Sequence, residues 1–296
     1  MPATKFYCPD KRQIEITDCL IKCPFKMRCM AKPTLKTLAA FCADRGLTKF
    51  SVTELLRGAR ETFLLETKEY AVDPQSMLFA AHGTALHKVN EDSVTDSDGI
   101  ITELRLENDI ATGQIDAYGD VFGTGEKVIC DYKVTSSYKA MRALGYYTAN
   151  EETGEVYKTG AKKGQPKTKK VWYYDGVKDV WEWALQQNFY RMLLEEEGYK
   201  VDGMYIQMYV RDYSLQIAST RNIIRPIYVL KLNHISDHWL KLWFKLRKER
   251  LEHAFLTNTL PPPCSAKENW HGLKCQKYCS VADYCEVQKV TLPKAG

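Results

Sequence analysis

Residues 111–134 read ATGQIDAYGDVFGTGEKVICDYKV, and this stretch decides the fold. Ala111–Val121 and Lys127–Val134 read as β, separated by the glycine-bearing turn sequence Phe122-Gly-Thr-Gly-Glu126, so two strands are predicted. Side chains on a strand alternate between faces, so Asp131 and Lys133 point the same way while Cys130 and Tyr132 turn towards the core. If the strands carrying Asp116 and Asp131 pair, their carboxylates meet over one divalent cation. Hard oxygen ligands of that kind suit Mg²⁺ or Mn²⁺. A lysine beside such an ion can orient an attacking water or stabilise charge developing on a phosphate. Two plainer readings stand beside this one: D-x-K is also an ordinary solvated charge pattern on a strand edge, and a shifted register puts Asp120 in place of Asp116.

Outward from this stretch, Ile100–Leu106 reads as a further strand, and Met204–Arg211 and Ile227–Leu232 as two more. Helices are predicted over Thr34–Arg45, with Gly46 as its stop, and from a Ser51/Glu54 capping box to Gly58. Further helices are predicted over Asp73–His87, Asp179–Gly198 and Ser236–Leu256. Gly145–Lys170 is polar and lysine-rich and reads as a long loop or insertion. Strands set between helices without strict alternation indicate a mixed α/β core rather than a doubly wound sheet.

Two cysteine sets flank this core. Cys8, Cys19, Cys23 and Cys29 follow C-x10-C-x3-C-x5-C, and Cys264, Cys275, Cys279 and Cys285 repeat the same intervals. Four thiolates held together are the ligand set of a tetrahedral zinc or an iron–sulfur cluster. A disulfide framework is the competing reading, but no signal segment opens the chain and disulfide scaffolds are usually far shorter. The C-x3-C step is less typical of zinc knuckles than C-x2-C and leans towards iron–sulfur. Either metal would be structural, because four thiolates leave no open position for substrate. The expected organisation is an N-terminal four-Cys module over residues 1–33, a core over 34–260 with the basic insertion at 145–170, and a C-terminal four-Cys module over 261–296.

The chain has 296 residues, 45% of them apolar, and a net charge of +5. That composition suits a globular protein with a sizeable core, and the mild positive charge permits a polyanionic partner without demanding one. No stretch is long and apolar enough for a membrane span, so the expectation is no membrane and a cytoplasmic location, in a bacterial or phage-infected cell.

The order His87 (in Gly83-Thr-Ala-Leu-His87), Asp116, Asp131-x-Lys133 and Gln186-x3-Tyr190 resembles the RecB-like branch of the PD-(D/E)XK nucleases. It is most similar to the CRISPR-associated RecB-like and AddB-type iron–sulfur exonucleases and to their stand-alone phage and prophage forms. The resemblance implies a restriction-endonuclease-like fold, a mixed central sheet flanked by helices, and a Mg²⁺- or Mn²⁺-dependent DNA exonuclease used in recombination or DNA-end processing. It implies His87, Asp116, Asp131 and the Tyr132 carbonyl as ligands of the divalent ion, Lys133 as the catalytic lysine, and Gln186 and Tyr190 as groups that position the lysine or the DNA backbone. His82 is the rival of His87, and Gln187 the register alternative to Gln186. The relatives draw one cysteine from the N-terminal side and three from the C-terminal side for a single [4Fe–4S] cluster. This chain departs from that pattern with a full set at each end, so one or two clusters are expected, with zinc as the alternative, and the first cysteines of the two sets could exchange partners.

The expected partner is DNA, single-stranded or as duplex ends, with a recombination or annealing protein as a further one. Lys158, Lys162, Lys163, Lys167, Lys169 and Lys170, followed by Trp172, combine phosphate-neutralising cations with a stacking surface; a solvated loop beside core aromatics is the plain counterpart. Two other functions compete: a non-catalytic DNA-binding or assembly protein on a nuclease scaffold, and a zinc-stapled interaction module in which D-x-K is coincidence.

Overall fold

The computed structural model describes residues 3–43, 46 and 49–285. In chain order the elements are β1 (Lys5–Tyr7), β2 (Gln13–Glu15), α1 (Ile16–Ile21), α2 (Lys32–Ala40), α3 (Val52–Leu56), α4 (Ala59–Thr67), β3 (Ala71–Val72) and α5 (Leu78–Ser93). There follow β4 (Ile101–Glu107), β5 (Thr112–Gly119), β6 (Val128–Thr135), α6 (Ser137–Ala143), β7 (Tyr146–Val156), β8 (Pro166–Tyr174) and α7 (Trp181–Glu196). The chain ends with β9 (Gly203–Val210), α8 (Gln216–Ser219), β10 (Ile227–Lys231), α9 (Asp237–Thr257) and α10 (Leu273–Lys277). Residues 1–88, 105–114 and 236–296 make one compact unit and residues 89–104 and 115–235 a second. The architecture is mixed α/β, with parallel and antiparallel pairs in its sheets and helices around them.

The main sheet runs β10-β9-β6-β5-β4. β6 and β9 pair in parallel over their full length, from Val128 opposite Gly203 to Thr135 opposite Val210, while β5–β6 and β9–β10 are antiparallel. On β9 the alternation is regular, with Met204, Ile206, Met208 and Val210 inward and their neighbours half-exposed, as a strand with one covered face requires. β6 begins as a fully buried run, Val128 to Asp131, because it lies in the middle of the sheet. α7 packs on β6 and β9 with Leu185, Phe189, Met192, Leu193 and Leu194 buried. The buried amide of Asn188 on this helix is satisfied: its Nδ2 donates to the carbonyls of Ala184 and Asn233, and its Oδ1 accepts from the Ile235 N–H.

In the first unit a small sheet, β2-β1-β3, packs with α1 and α2 around Phe6, Cys19, Leu35 and Leu38. The expected Ser51/Glu54 capping box is present, with Ser51 Oγ accepting from the Glu54 N–H and Glu54 Oε2 accepting from the Ser51 N–H. α9 buries Leu240, Phe244, Leu251 and Ala254, and its Phe255 packs on Phe50 and Phe63. Arg247 on the same helix donates to the carbonyls of Leu55 and Arg57, satisfying acceptors at the end of α3.

The structure differs from the sequence expectations in several places. The segment read as a long loop, residues 145–170, is a two-stranded antiparallel hairpin, β7 with β8, from Tyr146 opposite Tyr174 to Val156 opposite Pro166. Its lysines and glutamates hid the strand period, because an exposed hairpin has no buried face to supply apolar alternation. The helix expected over Asp73–His87 starts later and runs on to Ser93. α4, α6 and α8 have no counterpart in the sequence reading. Arg45, the expected end of the first helix, lies outside the described residues, and α2 ends at Ala40.

Gly119 closes β5 at φ +144, and a Cβ there would lie 2.7 Å from the Gly99 carbonyl oxygen and 3.1 Å from Ile100 Cα. Gly123 in the following turn has φ +67 but open space around it. Gly119→Ala therefore lowers the unfolding free energy by about 2–3 kcal/mol in urea titrations, and Gly123→Ala by about 1 kcal/mol. Equal costs at the two positions would refute the backbone clash.

Candidate active site

β5 and β6 carry the acidic pair in the second unit. Ala117 stands opposite Cys130, and Asp116 and Asp131 are each one residue beyond that pair on adjacent strands. The Tyr132 N–H donates to Asp116 Oδ2 at 2.8 Å, so the carboxylate serves as acceptor for that strand amide. Glu103 on β4 brings a carboxylate oxygen within 4.8 Å of one from Asp116. Its backbone sits at φ 52, a left-handed conformation inside a strand that costs of order 1–3 kcal/mol for a non-glycine residue. Glu103 was not singled out from the sequence. It is one of two acids in Ile101–Glu107, and nothing in the alternation marks it.

Asp131 is 2% exposed, and a buried carboxylate needs compensation. Lys133 Nζ donates to Asp131 Oδ1 at 2.9 Å, and Gln187 Nε2 on α7 donates to the same oxygen at 2.9 Å. Lys133 Nζ also lies 2.8 Å from Asp131 Oδ2, off the direction of an aligned hydrogen bond, so Oδ2 has charge contact but no aligned donor. The ammonium reaches Gln186 Oε1 at 3.2 Å, and Gln186 Nε2 donates to the Tyr190 hydroxyl at 3.0 Å. Asp131, Lys133, Gln186 and Tyr190 thus form one chain, and both adjacent glutamines of α7 take part in it. The sequence reading treated Gln187 only as an alternative to Gln186, yet each has its own partner.

The electrostatics set what these groups can do. Burial pulls the Lys133 ammonium towards neutrality, but Asp131, then Asp116, outweigh it and hold the lysine above its ordinary value. At neutral pH Lys133 is a fixed cation and not a base. Burial pushes the Cys130 thiol up to about 12, so it is an inert core group. Burial also raises Tyr190, a proton donor rather than a phenolate.

The remaining expected residues are carried by other elements. His87 is on α5 in the first unit, half-buried, and His82 on the same helix meets the Phe79 ring edge-on at 6.3 Å. Asp120 is taken up by its own turn, accepting from the N–H groups of Thr124 and Gly125, so it is not the partner of Asp131. On the hairpin Lys167 pairs with Glu155 at 2.8 Å, and Lys169 stands opposite Glu151. Lys158, Lys162 and Lys163 sit in the turn between β7 and β8, Lys162 over the Tyr157 ring. One hairpin face carries Tyr146, Trp172 and Tyr174 with Lys170; the rings of Trp172 and Tyr174 lie 5.5 and 5.1 Å from Tyr146, and both are exposed.

None of the ten cysteines is in a disulfide. Cys264, Cys275, Cys279 and Cys285 line one cavity in the first unit together with Arg60, Glu61, Leu64 and Lys274. Arg60 Nη1 points at Cys285 Sγ from 3.8 Å, and backbone N–H groups of Glu61 and Val281 donate to Cys264 and Cys279. Burial still pushes the Cys279 thiol to about 11. Gly58 leaves room for this set: a Cβ on it would come 2.5 Å from Cys264 Sγ. Among the described residues no three cysteine sulfurs lie within 4.8 Å of one another.

Neither a family model nor a curated protein matches the chain. Among solved structures it is similar to that of SSO0001, at 15% identity and a TM-score of 0.46, covering 86% of this chain and 94% of that one.

Removing one member of a buried ion pair strands the other. Lys133→Ala is expected to cost about 3 kcal/mol in chemical denaturation, and a double-mutant cycle with Asp131→Ala to give a coupling of about 1–3 kcal/mol. Because the folded lysine value is raised, the pair's contribution is complete below the ordinary 10.5 and is lost as pH climbs through the higher folded value. Lys133→Met lacks that alkaline loss. Identical alkaline slopes for Lys133→Met and the parent chain would contradict the pairing.

Proposed function

We propose that the chain is a metal-dependent nuclease that hydrolyses DNA phosphodiester bonds from ends, on a restriction-endonuclease-like sheet of the RecB-like kind. The observation that carries this reading is the buried Asp131 with one oxygen held by Lys133 and Gln187 and the other lacking an aligned donor. An acceptor of that kind, next to Asp116 on the neighbouring strand, with Glu103 close to Asp116, suits a hard divalent cation such as Mg²⁺ or Mn²⁺. Such an ion, when bound, acidifies water and polarises a phosphate oxygen. Asp131 and Asp116 would hold it, with Glu103 as a third carboxylate and His87 as the further ligand that the resemblance implies.

The chain's own groups do the rest. Lys133, fixed as a cation, faces the negative charge that grows on the phosphate as the water attacks. Gln186 holds the ammonium in place and Tyr190 holds Gln186, so the lysine meets the transition state without reorganising. On the hairpin, the exposed rings of Trp172 and Tyr174 offer a stacking face for unpaired bases, and Lys170 on that face and the turn lysines supply the countercharge. Lys167 and Lys169 contribute less, since glutamates already face them. The C-terminal thiol cavity, with N–H donors aimed at sulfur and an arginine alongside, fits an anionic iron–sulfur cluster that ties the chain's end to α4.

In Mn²⁺ with end-labelled DNA, the parent chain is expected to release nucleotides. Asp131→Asn and Glu103→Gln lower the rate by about 100-fold or more, and Gln186→Ala by about 10–100-fold through kcat rather than KM. Cleavage at the parent rate by Asp131→Asn would end the proposal. Binding without cleavage by the parent chain would assign it instead to a non-catalytic DNA-binding role. Trp172→Ala with Tyr174→Ala is expected to weaken single-strand binding by about 2–4 kcal/mol in fluorescence titrations, with little change on duplex.

A further inference from the structure

The two cysteine sets share more than their intervals. Cys19 lies in α1 and Cys275 in α10, each two residues before the last residue of its helix, Ile21 and Lys277. In both, the cap residue donates its N–H back four residues at 2.8 Å, Lys22 to the Asp18 carbonyl and Tyr278 to the Lys274 carbonyl, and the third cysteine follows at once as Cys23 or Cys279. The C-x3-C step therefore turns the same corner at both ends, off the end of a one-turn helix. The first cysteine in each set opens a turn: the Lys11 N–H donates to the Cys8 carbonyl, and the Ser265 N–H after Cys264 is capped by Glu268 Oε2.

Each set also closes on itself. Cys264 lines the cavity with the three other C-terminal cysteines, so it is not exchanged for Cys8. At the other end the Arg28 guanidinium donates to the carbonyls of Cys19, Leu20 and Ile21, which folds the loop carrying Cys23 and Cys29 back over the end of α1. Cys8 follows directly on β1, whose Phe6 shares a core cluster with Cys19. The Arg28 contacts therefore hold Cys23 and Cys29 in one loop against the helix that carries Cys19. Isolated thiols packed for bulk alone need no such convergence. Cys42 and Cys130 show that ordinary role, each buried outside either set.

We infer that the N-terminal module is a metal centre in its own right, closed by Cys8, Cys19, Cys23 and Cys29 alone and of the same four-thiolate kind as the C-terminal one. The chain then carries two separate centres instead of one assembled from both ends. The claim rests on thiolate chemistry and not on nuclease activity, so the two stand or fall separately. The ligand is a thiophilic centre, a [4Fe–4S] cluster or zinc, and elemental analysis tells them apart.

The test is iron, acid-labile sulfide and zinc content of the full chain purified without oxygen. The expected content is about eight iron and eight sulfide, or about two zinc, per chain. Cys19→Ser with Cys23→Ser removes half, and Cys275→Ser with Cys279→Ser removes the other half. The half retained in each variant reports that the chain still folds. Cys29→Ser, at an exposed position where serine is carried without burial, repeats the measurement should the double variant not fold. Cys42→Ser with Cys130→Ser leaves the content unchanged. Metal content unaffected by the N-terminal variants, or lost entirely from a folded Cys29→Ser chain, would overturn the inference: the first removes the N-terminal centre and the second makes it a shared one.

Discussion

A carboxylate in the middle of a sheet is the constraint around which the second unit is arranged. Removing Asp131 from water costs several kcal/mol, and that cost is offset only if charge and hydrogen bonds are returned to it inside the protein. Lys133, two residues on along the same strand, returns the charge. Gln187 returns a neutral hydrogen bond from α7. The compensation is incomplete, since one oxygen has no aligned donor, and such an arrangement is rarely kept for stability alone. The position of α7 follows from this: Gln186 and Gln187 are useful only if the helix lies across β6, and Phe189, Met192 and Leu193 on the same helix hold it there.

The two glutamines show how tightly that helix is specified. Adjacent residues on a helix differ by about 100° in direction, so Gln186 and Gln187 cannot share one target. Here the two targets are the ends of one ion pair, the ammonium for Gln186 and the carboxylate for Gln187. A rotation of α7 by one residue would break both contacts, and it would also take Asn188 away from the Asn233 carbonyl.

β9 and α7 were legible from their periods: each buries one side, and a buried side writes itself as apolar spacing where the element is long enough, whereas α4 and α6, helices shorter than α7, were not read. Asp131 and Lys133 were legible because strand alternation puts them on one face; Gln186 and Tyr190 were named through the resemblance, with which four-residue helix spacing agrees. The hairpin β7–β8 was not, because its strands are held by backbone pairing and by facing pairs such as Glu155 with Lys167, which read as polarity. Glu103 was hidden for a different reason: its φ of 52 turns it out of the regular alternation, so no pattern argument could have aimed it at Asp116.

The thiol modules follow the opposite logic from the acidic site. Their sequence signal is strong, a fixed ruler used twice, while their apolar support is thin: among the described residues of the C-terminal module, Val281 is fully buried and α10 has no buried residue. A segment of that size cannot bury enough surface to hold its own loops, which is the circumstance in which metal–thiolate bonds supply folding energy outright. Gly58 fits that account. Its φ is ordinary for any residue, so the glycine is not there for backbone freedom; it is there because Cys264 Sγ occupies the place of a side chain. The helix N-terminus and the thiol were shaped against each other, which ties α4 to the cysteine cavity independently of what the acidic site does.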